Sequence, residues 1–443
     1  MVVYKNPHLI IRPIDDGFVT VVNTYSTDGL KLLNSTQFSI FEKIDGRNTV
    51  ENIANLTGLN PSNLQEILKS WEKKQIINFT GVFKEPKWET EHPKSMNLWI
   101  HTTNKCNLGC DYCYISTLQT TGGMSEEVIQ QLGKKLLETA ISRKLKSVKI
   151  RLSGGEPLLQ FKKWKKFIID TQEVFKENNI SFSVAFLTNL TYLTEEIILF
   201  AKEHKIGFGV SIDGYSEYHD LTRKYHNGKG SFDKVHENLT ELIRHGIKPS
   251  ISTVVSQKNM EGLYALTEYL IDLNLHFRYS IVHDEPIDRN RLSKILTQCY
   301  DLMESAIYQQ DFAFSQKHKL CDLKTSEIFS QTCSSGLNGG AVYVDGGLYF
   351  CHVKFGDNDI SGNIFDEQDL LSIIAKKQHY IGERSEDCMT CNYKYVCTSG
   401  CPMYRINGKD ASCDLYHEQM PRVYELMGRE RIHKLKKIVN TTS

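Results

Sequence analysis

The rhythm of apolar and polar positions changes along the chain. From residue 96 to about 285, short runs rich in β-branched and aromatic residues alternate with longer stretches of helical period. The runs 98–102, 148–152, 183–187, 207–212, 251–255 and 277–282 predict strands, and segments such as 126–145 and 194–204 predict helices. Alternation at this spacing predicts βαβ units and a parallel sheet, the α/β fold class. In such sheets ligands sit beyond the carboxyl ends of the strands.

Residues 1–83 have a different pattern. The runs 9–12 and 18–22, divided by Asp15-Asp16-Gly17, predict a hairpin, and 30–33 a third strand. Three helical patterns follow. The first has Phe38, Ile40, Phe41 and Ile44 on one face. The second is capped by Asn48, with Glu51 three residues on, and the third opens at Asn60-Pro61. With a last strand at 76–83, this order predicts a winged-helix-like α+β domain. Its third helix, near 64–69, has no Arg-rich face, which argues against nucleic acid as a partner. Residues 84–95 hold two prolines among dense charge and predict a linker.

Composition narrows the function. The 443 residues are 40% hydrophobic and 24% charged, as in a globular protein. Lys and Arg together number 53, as do Asp and Glu, so no global field attracts nucleic acid or a membrane. No apolar run approaches the ~18 residues of a membrane helix. The first sixteen residues contain no secretory h-region, and a cytoplasmic location is expected. The twelve cysteines stand out. In a reducing compartment, clustered thiols are read as metal or redox ligands.

Cys106, Cys110 and Cys113 follow the first strand of the alternating region. Three such thiolates can hold three irons of a cubane and leave the fourth open. The alternative is a structural zinc site, which needs four ligands and has only His101 nearby. Other informative residues fall at the ends of successive strands. Gly154-Gly155-Glu156 closes the second, Thr188-Asn189 the third, and Ser211 and Asp213 the fourth, with Arg223 ten residues on. Glycines allow close backbone approach, a carboxylate can receive an ammonium, and Arg223 can clamp a carboxylate.

This region resembles the radical S-adenosylmethionine (SAM) superfamily, whose signature matches Cys106, Cys110, Tyr112 and Cys113. The resemblance implies a partial (β/α)6 barrel, a [4Fe-4S] cluster on the three cysteines, and one-electron cleavage of SAM to methionine and a 5′-deoxyadenosyl radical. It also implies that Tyr112 lies against the adenine and that Gly154, Gly155 and Glu156 hold the amino group. Asn189 joins the cofactor site, Ser211 and Asp213 lie near the ribose and methionine, and Arg223 lies near the carboxylate.

A second set of cysteines comprises Cys333, Cys351, the block Cys388-x2-Cys391-x5-Cys397-x3-Cys401, and Cys413. Paired zinc sites are the bland reading. The whole pattern resembles the SPASM domain of peptide-modifying radical SAM enzymes, which carries two auxiliary clusters. The resemblance assigns Cys333, Cys351 and Cys401 to the first, and Cys388, Cys391, Cys397 and Cys413 to the second, for three [4Fe-4S] clusters in all. Sulfatase-maturing members have Asp after the second SPASM cysteine, where this chain has His352. They carry a further cysteine where it has Gly339 and Gly340.

Residues 32–37 and 44–54 resemble the precursor-recognition element of ribosomal peptide maturases, related to the small pyrroloquinoline quinone peptide chaperone. The organisation expected is a leader-recognition domain at 1–83, a linker at 84–95, a radical SAM barrel at 96–285, a bridging region at 286–330, a SPASM domain at 331–415 and a C-terminal helix at 416–443. The partners implied are a precursor peptide held by its leader and an electron donor such as flavodoxin or ferredoxin, with neither nucleic acid nor membrane. A first auxiliary cluster with three protein ligands favours a substrate thiolate and a thioether product. Carbon–carbon or ether crosslinks are the alternative. Cys321 could close that site instead, or, like Cys299, be a buried thiol. A non-catalytic winged-helix regulator holding iron–sulfur or zinc is the reading from another class. No catalytic base is identified.

Overall fold

The computed structural model describes residues 1–14, 17–27, 29–88, 93–118, 122–283 and 285–442. The chain forms two compact units. One comprises Met1–Trp88, Asp288–Thr332 and Arg384–Ser443; the other, Glu89–Ile287 and Cys333–Glu383. Both divisions at 332–333 and 383–384 pass along the cysteine-rich stretch.

In the second unit, strands Ser95–His101, Ser147–Ser153, Ser181–Thr188, Gly207–Ser211, Ser250–Val255 and His276–Ile281 pair in parallel in chain order. This is the expected α/β architecture with a central parallel sheet. On its other side, Gly339–Val342 adds in parallel to Ser95–His101 and continues antiparallel into Gly347–Tyr349 and Gly362–Asn363. Residues on one face of the ladder, such as Leu98, Ile150, Phe186 and Val210, are buried. Phe161, from helix Phe161–Glu177, meets Phe186, and it meets Phe200 from helix Glu195–Glu203 edge-on at 5.3 Å between centroids. The alternation in the sequence is therefore the boundary between a buried, helix-covered face and a less buried one.

The predicted helix 126–145 is observed as Glu126–Ser142. Lys144 has φ +53° and turns the chain out of the helix. Thr194 and His204 are the caps of helix Glu195–Glu203 rather than its ends, with the Thr194 hydroxyl accepting from the Ile197 amide at 3.3 Å.

In the first unit, strands Leu9–Pro13, Val19–Asn23 and Leu30–Leu33 form an antiparallel sheet. Helices Ser35–Glu42, Val50–Thr57 and Pro61–Lys73 bury Phe41, Ile53, Leu64, Leu68 and Trp71 with Val19, Val21 and Leu33. The predicted Asp15-Asp16 turn and residues 89–92 of the predicted linker lie outside the described residues. The second helix is capped by Thr49, whose hydroxyl accepts from the Asn52 amide, while the Asn48 side chain donates instead to the Lys43 carbonyl. The predicted strand 76–83 reduces to Ile77–Asn78, paired with Tyr4–Lys5. Beyond it the Asn78 side chain accepts from the Thr80 and Gly81 amides and donates to the Val82 carbonyl, a local turn that competes with a ladder.

Helix Cys413–Thr442 starts three residues before the expected boundary. It packs on helix Arg289–Gln310, where Gln419 donates to the Ser293 hydroxyl at 2.6 Å. It also crosses the N-terminal sheet. A Cβ on Gly428 would lie 2.0 Å from the Thr20 hydroxyl, and Arg431 donates to the Leu30 carbonyl at 2.8 Å. Among the described residues, no helix is long and apolar enough to cross a membrane. Replacing Thr49 with Ala should cost about 1 kcal/mol, read as a lower midpoint in urea denaturation.

Candidate active site at the carboxyl ends of the parallel strands

The segment after strand Ser95–His101 is pressed onto the turn after strand Ser147–Ser153. Gly155 donates to the Thr103 carbonyl at 2.7 Å, and Glu156 to the Lys105 carbonyl at 2.9 Å. A Cβ on Gly155 would stand 2.1 Å from the Lys105 carbonyl oxygen. On Gly154, which has φ +127°, it would stand 2.4 Å from that of Thr103. The close approach that these glycines permit is thus made first by the chain itself.

The three cysteines share the next loop. The Cys113 amide donates to the Cys110 carbonyl at 3.1 Å, and the Leu108 amide to the Cys106 sulfur at 3.4 Å. Residues 222–226 brace the loop. Gly109 donates to the Lys224 carbonyl at 2.8 Å, and the Cys106 carbonyl accepts from His226 Nε2 at 3.0 Å. Burial pushes the Cys110 thiol up to about 11 and raises that of Cys106, while the nearby Arg223 cation opposes both shifts. The Cys113 sulfur is near enough to contribute to the rise at both Cys106 and Cys110. Among the described residues, no three His, Cys, Asp or Glu groups close on a point as they would around one ion. A cubane takes one thiolate per iron, so a shared loop of soft ligands suits it.

Two networks join the strand-end residues. The Glu156 carboxylate is fully buried and accepts from Leu158 at 3.0 Å, the Thr188 hydroxyl at 2.7 Å and the Asn189 amide at 2.7 Å. Burial nevertheless raises its pKa to about 7. The Asn189 side chain donates to Asn107 at 3.0 Å and lies 3.6 Å from the Cys106 sulfur. In the second network, the Tyr112 hydroxyl bonds to the Asp213 carboxylate and accepts from Arg223 at 2.5 Å. Arg223 stands 3.7 Å from Asp213. Asp213 also accepts from Val254 at 3.0 Å and the Thr222 hydroxyl at 3.2 Å. Ser211 ends its strand in register with Ser252.

Asn107, Thr222 and His219 belong to these networks without having been singled out by pattern. His219 Nδ1 accepts from the Asp213 amide at 3.3 Å, and its other nitrogen bonds to Ser231. A buried histidine amid polar residues after a strand was the available signal.

In the other unit, Cys388, Cys391, Cys397 and Cys413 stand within electrostatic reach of one another. Burial is the main cause of the raised thiol pKa of Cys391, Cys397 and Cys413, and Lys409 opposes it at Cys391 and Cys413. Thr398, Ser399 and Gly400 all have positive φ and reverse the chain between Cys397 and Cys401. The turn at Cys391 is also held by the N-terminal sheet. Tyr25 donates to the Cys391 carbonyl at 3.0 Å, His8 pairs with Asn392 at 3.2 Å, and the Tyr393 amide reaches the Cys391 sulfur at 3.3 Å. Cys333 and Cys351 are electrostatic neighbours within the second unit. His352, 3.6 Å from the Cys351 sulfur, stacks on Trp99 at 4.1 Å. Cys299 is a buried core thiol on its helix, and Cys321 hydrogen-bonds with Tyr416.

The radical SAM superfamily profile matches residues 100–270. This region is a radical SAM domain, and the protein is an enzyme of that superfamily. A serine-type anaerobic sulfatase-maturating enzyme of Bacteroides thetaiotaomicron is 24% identical over 368 residues, which are 73% of this chain and 87% of that protein. A cysteine-type enzyme of Clostridium perfringens is 25% identical over 340 residues, 70% and 89% of the two chains. Native anSMEcpe with bound AdoMet and Cp18Cys peptide aligns at TM-score 0.62 and 22% identity, over 76% of this chain and 99% of that one. Streptococcus suis SuiB bound to precursor peptide SuiA aligns at TM-score 0.53 and 16% identity, over 93% and 100%. The fold of this chain is that of these structures.

Because the Glu156 pKa rises on folding, the native carboxyl holds its proton over a range where the unfolded one has lost it. The cluster-free protein should lose stability as pH rises from about 4.5 to about 7. Glu156→Gln should reduce this slope in urea denaturation followed across that range.

Proposed function

We propose that this radical SAM enzyme installs a crosslink in a ribosomally synthesised precursor peptide. The observation that carries the reading is the junction of the three-cysteine loop with two polar networks at the strand ends. Cys106, Cys110 and Cys113 would hold the SAM cluster. Tyr112, Gly154, Gly155, Glu156, Asn189, Ser211, Asp213 and Arg223 would form the cofactor site around it. When bound, the cluster and SAM supply a one-electron reduction that yields a hydrogen-abstracting carbon radical. The chain's own contribution is orientation. Asp213 fixes the Tyr112 hydroxyl and the Arg223 guanidinium together, and the Glu156 carboxylate ties the second strand end to the third.

Seven more cysteines would hold two auxiliary clusters, with Cys388, Cys391, Cys397 and Cys413 as one set and Cys333, Cys351 and Cys401 as the other. The four-thiol grouping in the first unit supports the former set. The resemblance gives the latter three cysteines, which would leave one iron open. An open iron suits a substrate thiolate. A substrate thiolate held there would lie beside a substrate carbon radical without a bimolecular search, and forming the C–S bond would release one electron, for which an auxiliary cluster would be the acceptor. A thioether is accordingly the preferred product, ahead of carbon–carbon or ether bonds. The sulfatase-maturating relatives suggest a second substrate class, but His352 after Cys351 departs from the Asp of that branch.

Residues 1–83 would capture the leader peptide by β-augmentation. Strand Leu30–Leu33 has one partner strand, and helix Pro61–Lys73 lies beside it, with Lys31 donating to Ser70 at 3.2 Å. The enzyme would work in the cytoplasm with a flavodoxin or ferredoxin as reductant.

The Cys106→Ala, Cys110→Ala, Cys113→Ala triple variant, reconstituted anaerobically, should produce no 5′-deoxyadenosine with dithionite and SAM, yet retain the auxiliary iron–sulfur spectrum. Retained SAM cleavage would sink the assignment. A protein lacking residues 1–83 should still cleave SAM slowly but lose affinity for a full-length precursor. Full turnover of a precursor without cysteine would remove the case for a thioether, and mass spectrometry of the product reads this directly.

A further inference from the structure

The less buried face of the parallel sheet holds cations that nothing in the cofactor reading uses. Register fixes which residues share it. Trp99 pairs with Arg151 and Arg151 with Ala185, while Asn97 pairs with Lys149. Farther along the sheet, Ser211 pairs with Ser252 and Ser252 with Arg278. Opposite faces alternate along each strand, and the residues between these, such as Ile150, Phe186 and Phe277, are buried. Arg151 and Arg278 therefore sit on the same face as Ser211, amid small residues such as Ala185, Gly207 and Gly209.

Three strands separate Arg151 from Arg278 in the sheet order. Yet Arg278 is near enough to lower the pKa of Arg151, after burial as the larger cause. The two guanidiniums are therefore neighbours on one face of the sheet. Arg151 is half-buried, and among the described residues neither it nor Lys149 has a carboxylate partner. Even a half-buried cation without a counter-charge loses part of its hydration with nothing to offset it. Arginine offers a fork that matches a carboxylate in two parallel hydrogen bonds. Arg151 lies two residues below Ser153, roughly 7 Å from the strand end at about 3.3 Å per residue. An extended side chain at the mouth spans that depth.

We propose that Arg151, with Arg278 and Lys149 beside it, is a carboxylate receptor on this face of the sheet, and that its ligand is an acidic side chain of the peptide being modified. The proposal rests on the radical SAM peptide reading and adds a specificity to it. The same chemistry is present in the carboxylate of SAM itself. Arg223, which the resemblance gives to that carboxylate, is already engaged by Asp213 and Tyr112. The two sources must therefore be separated by measurement.

Two fluorescein-labelled pentapeptides, Gly-Ser-Glu-Cys-Gly and Gly-Ser-Gln-Cys-Gly, would be titrated by anisotropy against the reconstituted full-length enzyme with SAM present. The Glu peptide should bind about tenfold or more tightly than the Gln peptide, the worth of a charge-assisted hydrogen bond. Arg151→Gln should abolish the difference and leave SAM affinity and dithionite-driven 5′-deoxyadenosine formation unchanged. Arg151→Lys, which keeps the charge but not the fork, should retain part of it. Equal binding of the two peptides, no binding of the Glu peptide, or an undiminished preference in Arg151→Gln would overturn the proposal. A comparable loss of SAM affinity in Arg151→Gln, with the peptide preference intact, would assign the receptor to SAM and overturn the peptide assignment. Absence of 5′-deoxyadenosine from the parent enzyme would instead sink the radical SAM reading, whatever the peptides do.

Discussion

Two stretches of backbone cross at the mouth of the sheet with no room for a side chain between them. Gly154 and Gly155 meet the carbonyls of Thr103 and Lys105 at distances that even a Cβ would violate. The rest of the site depends on that crossing. It fixes where the loop bearing Cys106 to Cys113 leaves the first strand. It also sets Glu156 at the depth where one carboxylate can accept from both Thr188 and Asn189. Asn189 then reaches back toward Cys106. A change that parts the two backbones would move the cysteine loop and the third strand end together. The turn is better described as a packing contact with a ligand-facing side than as a ligand loop alone.

The sheet separates two kinds of chemistry by parity. One set of alternating positions is apolar and buried by helices. The other carries Trp99, Lys149, Arg151, Ser211, Ser252 and Arg278, is less buried, and has His352 stacked on Trp99. A one-residue slip in any strand would exchange the two. Tight burial on the helical side therefore guarantees the placement of polar groups on the other, and Asp213 and Arg223 follow directly from a strand held in this way.

Much of this could be read from the sequence. The six strands of the alternating region lie where the apolar runs placed them, because their rhythm comes from one-sided burial, which periodicity reports, whereas the parallel strand Gly339–Val342 was not foreseen. The cysteine loop and its strand-end companions were visible because residue type and spacing carry their chemistry. What was hidden is long-range or competitive. Thr49 rather than Asn48 caps the second helix because two adjacent capping residues compete and tertiary context decides. Residues 79–83 leave the strand because the Asn78 side chain offers a local alternative. The bond from Tyr25 to the Cys391 carbonyl joins residues 366 apart in the chain, and no local pattern encodes it.

The first unit is discontinuous, and its seams govern the order in which it can be completed. The face of the N-terminal sheet that receives Thr20 and Leu30 is covered by the helix bearing Gly428 and Arg431. The loop after strand Val19–Asn23 is held by the turn at Cys391. On a ribosome adding about 5–20 residues each second, roughly 400 residues separate the emergence of these strands from that of their cover, about 20–80 s. Throughout that interval the sheet has its own three helices on one side and no intramolecular partner on the other. These strands are made before the rest of their unit yet are among the last of it to be covered, and their exposed edge must be tolerated by the cell until the helix bearing Gly428 and Arg431 emerges.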